Sequence, residues 1–575
     1  MIYDVKAFDE KYGTDLVNAK VEPSSLEDMT PEAELEYYQE LLDVKAQVEA
    51  FDYDTLSHSE KIAYKVILDK IQRSMNFFLF DDNGKNLLFY YGIQLGSYLG
   101  YQAQLPSLLS DYRFDDKKDI DDYLDFMYYT KSDFEAIYYF EKSKIESGEG
   151  NQIADFVIDL VIEQCDNFIN TDEVNYLITL FNDRIYDYDF LTEEEAKEYQ
   201  EKNEKYINEY FIPAYAWLKE QLTELKDIND DSKSGGLANL EYGKEYYQVY
   251  FQSQCGTDMT IDELIEYIAA KEELADKAIW TSYSGNLMSD AGLIKYDGKK
   301  QDYYASLYSI IPFNQEKCAA DFPSVKASYV VGENIKINEI PEALQENSSP
   351  AYYMTSPIDA TTNEFFYINP PEFSELGNYM YQTVSHEAWP GHLYQTVYFK
   401  ETDNHDIRKV ISYTSYAEGW AEYVENYVPK YVIDDYGAQQ MFLYDLYSSL
   451  AYCKLDIGIN YQGWDVEDII EYYGLTLEDV NSGRYTWTSG DTVSYDDFEG
   501  IYYRFVEVPS NYLKYYLGAC LILDMKAEFK ELMGVYYSDK VFHTILLETG
   551  EASWDIIRQE LLDYASKWGT NGTYR

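Results

Sequence analysis

The sequence predicts a mainly α-helical chain with one small β element, and three observations carry that expectation. Apolar residues recur at helical spacing through most of the chain. β-branched and aromatic residues cluster around polar turns in one stretch only, Pro350 to Asn369. Hydrophobic residues make up 46% of the 575 positions and aromatic ones 17%, enough to exclude a disordered chain.

The first helical stretch runs from Pro31 to about Gln72, opening on a Thr cap and a proline at the first helical position. Further periodic segments follow at Lys118–Ser147, Gln152–Asn170 and Glu193–Leu225. The polar run after Lys226, with the Gly235-Gly236 pair, cannot sustain a helix and marks a soft boundary. It divides a helical region, residues 1–230, from a second one, 231–575, which carries the chemical motifs; the two are expected to pack as one cleft-forming unit. Pro350–Asn369 reads as a hairpin or pair of strands directly before those motifs, and helical spacing then continues almost to the end.

Asp and Glu number 105 against 45 Lys and Arg, a formal charge of −60 whose field repels phosphate backbones, so nucleic acid is not an expected partner. The same field favours cationic substrates, although an acidic surface also serves solubility alone. The 64 tyrosines suit half-buried helix faces and wet clefts. Five scattered cysteines without CxxC spacing indicate neither a disulfide framework nor a thiolate zinc site. No stretch reaches transmembrane length and the start lacks a basic and apolar leader, so the expectation is a soluble chain. An extracytoplasmic or lipid-anchored location fits if a leader lies outside this sequence. Oligomeric state stays open.

Only five histidines occur, and two of them, His386 and His392, fall within HEAWPGHLYQ with Glu387 beside the first. Imidazole nitrogens and carboxylate oxygens are zinc donors, and a hydrolytic site also needs a carboxylate near the attacking water. In H-E-x-x-H the histidines share a helical face; six-residue spacing on an ideal helix would turn His392 about 240° away. Pro390 removes a donor and Gly391 tolerates unusual torsions, so a kink or wide turn is expected to return His392 to the metal. His58 and His405 lie in polar contexts without recognisable ligand partners. A third ligand is sought among Glu418, Glu422 and Glu425, which lie at i, i+4 and i+7; their mutual repulsion would be relieved by a cation. A solvated acidic face is the alternative for Glu422 and Glu425.

These residues resemble the bacterial domain of unknown function 885 family, grouped with gluzincin-like metallopeptidases. Its HEAxPGHxxQ element is matched from His386 to Gln395 and its EGWAxYxE element from Glu418 to Glu425. Pro509–Gly518 and Phe542–Gly550 resemble two further elements, and the likeness covers most of residues 90 to 565. Asn511 stands where the family usually has Gln, and Leu393 where it often has His, which leaves His392 the less ambiguous ligand.

The resemblance implies one Zn²⁺ per chain held by His386, His392 and Glu418, with Glu387 as general base and Glu422 and Glu425 supporting the ligands. Tyr515 and His543 are candidate stabilisers of developing charge, with ordinary packing as the alternative for each. Substrate-side candidates are the strand residues Phe366, Tyr367 and Asn369, with a core strand as the alternative, Arg504, with a surface ion pair as the alternative, and Asn511. The fold implied is a large helical, metallopeptidase-like architecture with a deep cleft and the β element beside the active-site helix. The function implied is hydrolysis of oligopeptides. A zinc amidohydrolase acting on a non-peptide or modified amino-acid amide would use the same residues. A peptide-binding protein with a vestigial site is the non-enzyme alternative, against which the retained Glu387 speaks.

Overall fold

The structure is a computed structural model that describes all residues except 1, 3, 170–174, 277–291, 299, 346–347, 361–362, 378, 488–489 and 569–575. Helix accounts for 68% and strand for 4%, so the chain is mainly helical with a small sheet. The expected opening helix is two. α1 (Pro31–Glu49) starts where the Thr30 hydroxyl accepts the Ala33 N–H, and α2 (His58–Met75) starts on a reciprocal Ser57/Glu60 cap.

The N-terminal core is built by α3 (Lys117–Ser147), α4 (Asp155–Ile169) and α5 (Ile212–Ile228), whose Phe134, Val157 and Leu218 are fully enclosed. Gly148, at φ 69°, ends the 31-residue α3 in a left-handed turn that L side chains disfavour. The Gly235-Gly236 break is held rather than loose. The Gly236 N–H donates to the Tyr502 hydroxyl, and a Cβ there would meet the Ile459 carbonyl oxygen at 2.3 Å. Cores do not follow the 1–230 and 231–575 division strictly, because α2 sends Ile62 and Val66 into the C-terminal core.

The expected hairpin is present and larger than a pair. β1 (Ile335–Glu339), β2 (Ala351–Met354) and β3 (Glu364–Ile368) form a sheet in the order β1-β3-β2. β3 pairs parallel with β1, Phe366 opposite Ile337, and antiparallel with β2, Phe366 opposite Tyr353. A separate two-residue ribbon joins Tyr296–Asp297 to Lys300–Gln301. Phe366 and Ile368 face the core, while Tyr367 stacks on Tyr352 at 4.9 Å on the other face. The Tyr352 hydroxyl donates to Asp111 and so ties the sheet to the N-terminal half.

Around the sheet lie α6 (Tyr379–Glu387), α7 (His392–Lys400), α8 (Thr414–Tyr427), α9 (Asn511–Met533), α10 (Asp539–Thr549) and α11 (Trp554–Trp568). α8 and α9 approach unusually closely at Gly419 and Gly518. A Cβ on Gly419 would stand 2.6 Å from the Gly518 Cα, and one on Gly518 2.6 Å from the Ser415 carbonyl oxygen. Only glycine permits that approach, which places the acidic face of α8 and the tyrosines of α9 beside one another. All five cysteines are buried and unpaired. Among the described residues no helix is long and apolar enough to cross a membrane.

Candidate metal centre

His386 and Glu387 end α6, and His392 begins α7, so the six-residue spacing is bridged by a break between two helices rather than a bend within one. The intervening turn is fixed from outside. The Asn314 amide donates to the Trp389 carbonyl and to the Ser385 hydroxyl, and the fully buried Trp420 indole of α8 donates to the Pro390 carbonyl at 2.9 Å. A Cβ on Gly391 would fall 1.6 Å from the His386 carbonyl oxygen, so glycine is required for the chain to double back on the first histidine.

That path brings the two imidazoles together, ring centroids 4.9 Å apart and nearly perpendicular. Glu418 enters from α8, its Oε2 3.3 Å from His392 Nε2 and 3.7 Å from His386 Nε2. Donors about 2.0–2.1 Å from a tetrahedral zinc stand roughly 3.3–3.4 Å from one another. Two imidazole nitrogens and one carboxylate at these separations fit zinc in number, type and spacing. Glu387 Oε1 lies 4.0 Å from His386 Nε2, and its Oε2 accepts the Tyr353 N–H at 3.0 Å. The Glu387 carboxylate also lies close enough to both imidazoles to share a cation with them.

His386 presents its other nitrogen, Nδ1, to Glu425 Oε2 at 3.0 Å, which fixes the ring's orientation and leaves Nε2 facing Glu418. His386, Glu422 and Glu425 could also gather around a cation. With a single imidazole that set suits zinc less well, and Glu425 is already spent on the ring. Glu422 is raised above the usual carboxylate range by burial and by Glu425, and Asp445 is pushed up to about 7 by burial and the same neighbour. This side of the centre gathers mutually repelling carboxylates, and Gln382 donates to Asp445.

The electrostatics ask for a cation. Burial disfavours a charged His386, yet Glu418, Glu425 and Glu387 hold its affinity for a proton well above the ordinary imidazole value. Burial pushes Glu418 up, but hydrogen bonds and charge from His386 and His392 overcome it and hold the carboxyl well below the usual range. Burial raises Glu387 against the pull of both imidazoles, the direction wanted in a general base. A proton on His386 answers this demand, and a divalent cation among the same groups would answer it too.

Tyr515, on α9, comes within hydrogen-bonding reach of Glu418, and burial together with Glu418 keeps its phenol protonated. The charge of a Tyr98 phenolate would also act on Tyr515, and the Arg504 guanidinium lies 3.1 Å from the centre of the Tyr98 ring. Arg504 is thus stacked on an aromatic ring, with its Nε facing the Tyr512 hydroxyl at 3.4 Å, and no ion pair of it is seen among the described residues. Asn511 opens α9 one turn before Tyr515.

Four expectations change. His543 is fully buried, stacked on Phe322 at 4.1 Å, with Nε2 against the Tyr423 hydroxyl and Nδ1 against the Asp321 carbonyl; both nitrogens are used and the residue is apart from the centre. Phe366 is buried in the core. Asn369 is buried too, its amide donating to the Gln345 and Ser348 carbonyls. Tyr367 faces the N-terminal half on a central strand whose two edges are already paired. The edge strand beside Glu387 is β2, whose Tyr353 the sequence reading missed. His58 and His405 lie elsewhere, His58 beside Glu560 in a separate cavity of about 540 Å³ and His405 capping Ile407. Asn314 and the Gly419–Gly518 crossing were also missed; Gly419 and Gly518 each sit inside a recognised motif, which was the available signal.

No curated protein matches the sequence. Among solved structures, the chain is similar to a candidate lipoprotein from Colwellia psychrerythraea at 15% identity, with a TM-score of 0.75 over 97% of this chain and 94% of that one. It is also similar to a candidate lipoprotein of unknown function from Shewanella oneidensis at 18% identity, with a TM-score of 0.58 over 97% of each. At these identities the likeness is one of fold. The sequence model described as bacterial protein of unknown function (DUF885) matches residues 13–561, nearly the whole length, and the chain belongs to that family.

Proposed function

We propose that the protein is a zinc-dependent metallopeptidase that hydrolyses peptide bonds of oligopeptides at the centre formed by His386, His392 and Glu418. The observation that carries this reading is the convergence of both histidine Nε2 atoms on one Glu418 oxygen, with Glu387 adjoining. Bound zinc would supply a Lewis acid and bring the pKa of a water towards ~7.

The chain's own residues supply the rest. Glu425 holds His386 Nδ1 and fixes which nitrogen faces the centre. Glu387, anchored through Oε2 by the Tyr353 N–H, keeps Oε1 free to take a proton from water and pass it to the leaving amine. The Tyr515 hydroxyl, kept protonated, is placed to donate to an oxyanion beside Glu418. β2 is an edge strand with one main-chain N–H aimed at the catalytic carboxylate, so an extended peptide added there would run past Glu387. This feature favours a peptide over a compact amide as substrate. The lipoprotein description of both structural neighbours supports an extracytoplasmic setting for the same activity.

The test is Glu387→Gln, read by elemental analysis and by mass spectrometry of a peptide-library digest. The expected outcome is zinc retained near one per chain with turnover lowered about 10²–10⁴-fold. Full turnover in the variant would assign the base elsewhere, and absence of a transition metal from the metal-replete wild type would sink the metallopeptidase reading.

A further inference from the structure

Beside the candidate centre lies a cavity of about 280 Å³ that His392 and Glu418 share with Gln395, Lys400, Lys409, Arg408 and Glu551. Three cationic side chains in one cavity are unexpected in a chain of net charge −60. Lys409 is neutralised by Asp406. Lys400 is not so paired: its ammonium donates to the carbonyl and hydroxyl of Ser356, and the nearby Glu364 carboxylate is taken up by the Tyr353 and Ser356 hydroxyls.

Arg408 is 1% exposed, and its guanidinium is always charged. Nη2 donates to the Thr549 and Glu551 carbonyls, whereas Nε and Nη1 are buried with no hydrogen-bond partner among the described residues. The Glu551 carboxylate, also on the cavity wall, accepts the Tyr413 N–H, and its charge acts on the arginine without a hydrogen bond to it. Gln395, which closes the HEAWPGHLYQ motif and is 7% exposed, approaches the Tyr416 hydroxyl, but its amide nitrogen makes no well-formed hydrogen bond among the described residues. Burying donors of an arginine that no carboxylate hydrogen-bonds is costly, and the cost is recovered when an anion supplies the missing acceptors.

We propose that this cavity is an anion subsite that binds a carboxylate of the substrate, with Arg408 and Lys400 as its charges and Gln395 as a neutral donor. The inference rests on the zinc peptidase reading and narrows its substrates to peptides bearing a free carboxylate close to the scissile bond. That carboxylate is either the C-terminal one or an Asp or Glu side chain, since the two share their chemistry. Arg408 and Lys400 hold the carboxylate on the His392–Glu418 side of the centre, and the peptide then leads from there along the edge of β2.

The test uses N-acetylated peptides in matched pairs, one pair differing only in a C-terminal acid or amide, the other only in Glu or Gln beside the bond. A carboxylate-bearing member should be preferred at least about tenfold in kcat/KM, and which pair shows the preference identifies the source. Lys400→Gln and Arg408→Gln should each collapse that ratio towards one. Because Arg408→Gln also loosens the Thr549–Glu551 turn, Lys400→Gln carries the result alone if the arginine variant does not fold. A second arm titrates the wild-type protein calorimetrically with an N-acetylated dipeptide as free acid and as amide. Tighter binding of the acid, weakened by salt and by Lys400→Gln, is expected. Equal turnover and equal binding of acid and amide would overturn the subsite while leaving the peptidase reading intact. Turnover of no peptide would overturn the peptidase reading, and the binding arm would still decide the subsite.

Discussion

The two faces of α8 each meet a histidine, and they treat it in opposite ways. On one face Glu418 and Glu425 meet His386; on the other Trp420, Tyr423 and Tyr427 pack around His543. His386 has one nitrogen held by a carboxylate and the other open towards anions, so its affinity for a cation rises despite burial. His543 has a hydroxyl at one nitrogen and a carbonyl at the other, and burial, aided by Lys526, pushes it down to about 3. Burial is common to both. What separates a candidate ligand from a core residue is whether one ring nitrogen is left free to converge with other donors.

The largest expected effect breaks this comparison directly. His392→Ala should leave the chain without retained zinc, whereas His543→Gln should keep its zinc while losing about 2–3 kcal/mol of stability through lost packing and hydrogen bonds. Elemental analysis beside urea unfolding separates the two, and zinc loss in the His543 variant would return that residue to the centre. Next in size is Gly391→Ala, where the added Cβ meets the His386 carbonyl oxygen at 1.6 Å and must displace one of the two ligands. A shift of about 1 Å in the catalytic geometry costs roughly 10²-fold in turnover. Unchanged kcat/KM would mean that the turn absorbs the methyl group without moving either imidazole. Smaller again is Glu425→Gln, which removes the carboxylate behind His386 but keeps an acceptor. A zinc-competition titration should show affinity falling about 10–100-fold, and no change would leave Glu425 as part of the acidic face alone.

Much of this was legible in the sequence, and the failures have common physical causes. Helical spacing reports a buried face, so the helices and the acidic stripe of α8 could be read directly, as could the rarity of the His386–His392 pair. The same spacing cannot say what a buried face packs against. His543 therefore looked equally fit to stabilise developing charge or to fill a core position until Phe322 and the Asp321 carbonyl, more than two hundred residues away, were placed beside it. Likewise Phe366 and Asn369 suited a substrate strand or a core strand equally because the parallel partner β1 lies about thirty residues upstream, in a segment whose mixed Ile335–Glu339 pattern gave no strand signal. Pro390 and Gly391 announced a break, yet the contacts that shape it, from Asn314 and Trp420, come from helices on either side.

The smallest expected effect sharpens the comparison through pH. An imidazole whose pKa is about 3 when folded and about 6.5 when unfolded stays neutral in the native chain while the unfolded chain takes up a proton. Below pH 6.5 the unfolded state therefore gains, and stability falls by about 1.4 kcal/mol per pH unit until the folded value is reached. Between pH 6.5 and 5 that comes to about 2 kcal/mol. Every other titrating group is common to wild type and His543→Gln, so their difference isolates this one residue. The stability gap between the metal-free proteins in urea should be widest at pH 7 and narrow by about 2 kcal/mol at pH 5, because the wild type alone pays the protonation cost. A gap independent of pH would mean that His543 is already charged or solvated in the native chain. Its place as the neutral counterpart of His386 would then be lost, and with it the argument that the free ring nitrogen, rather than burial, selects the ligand.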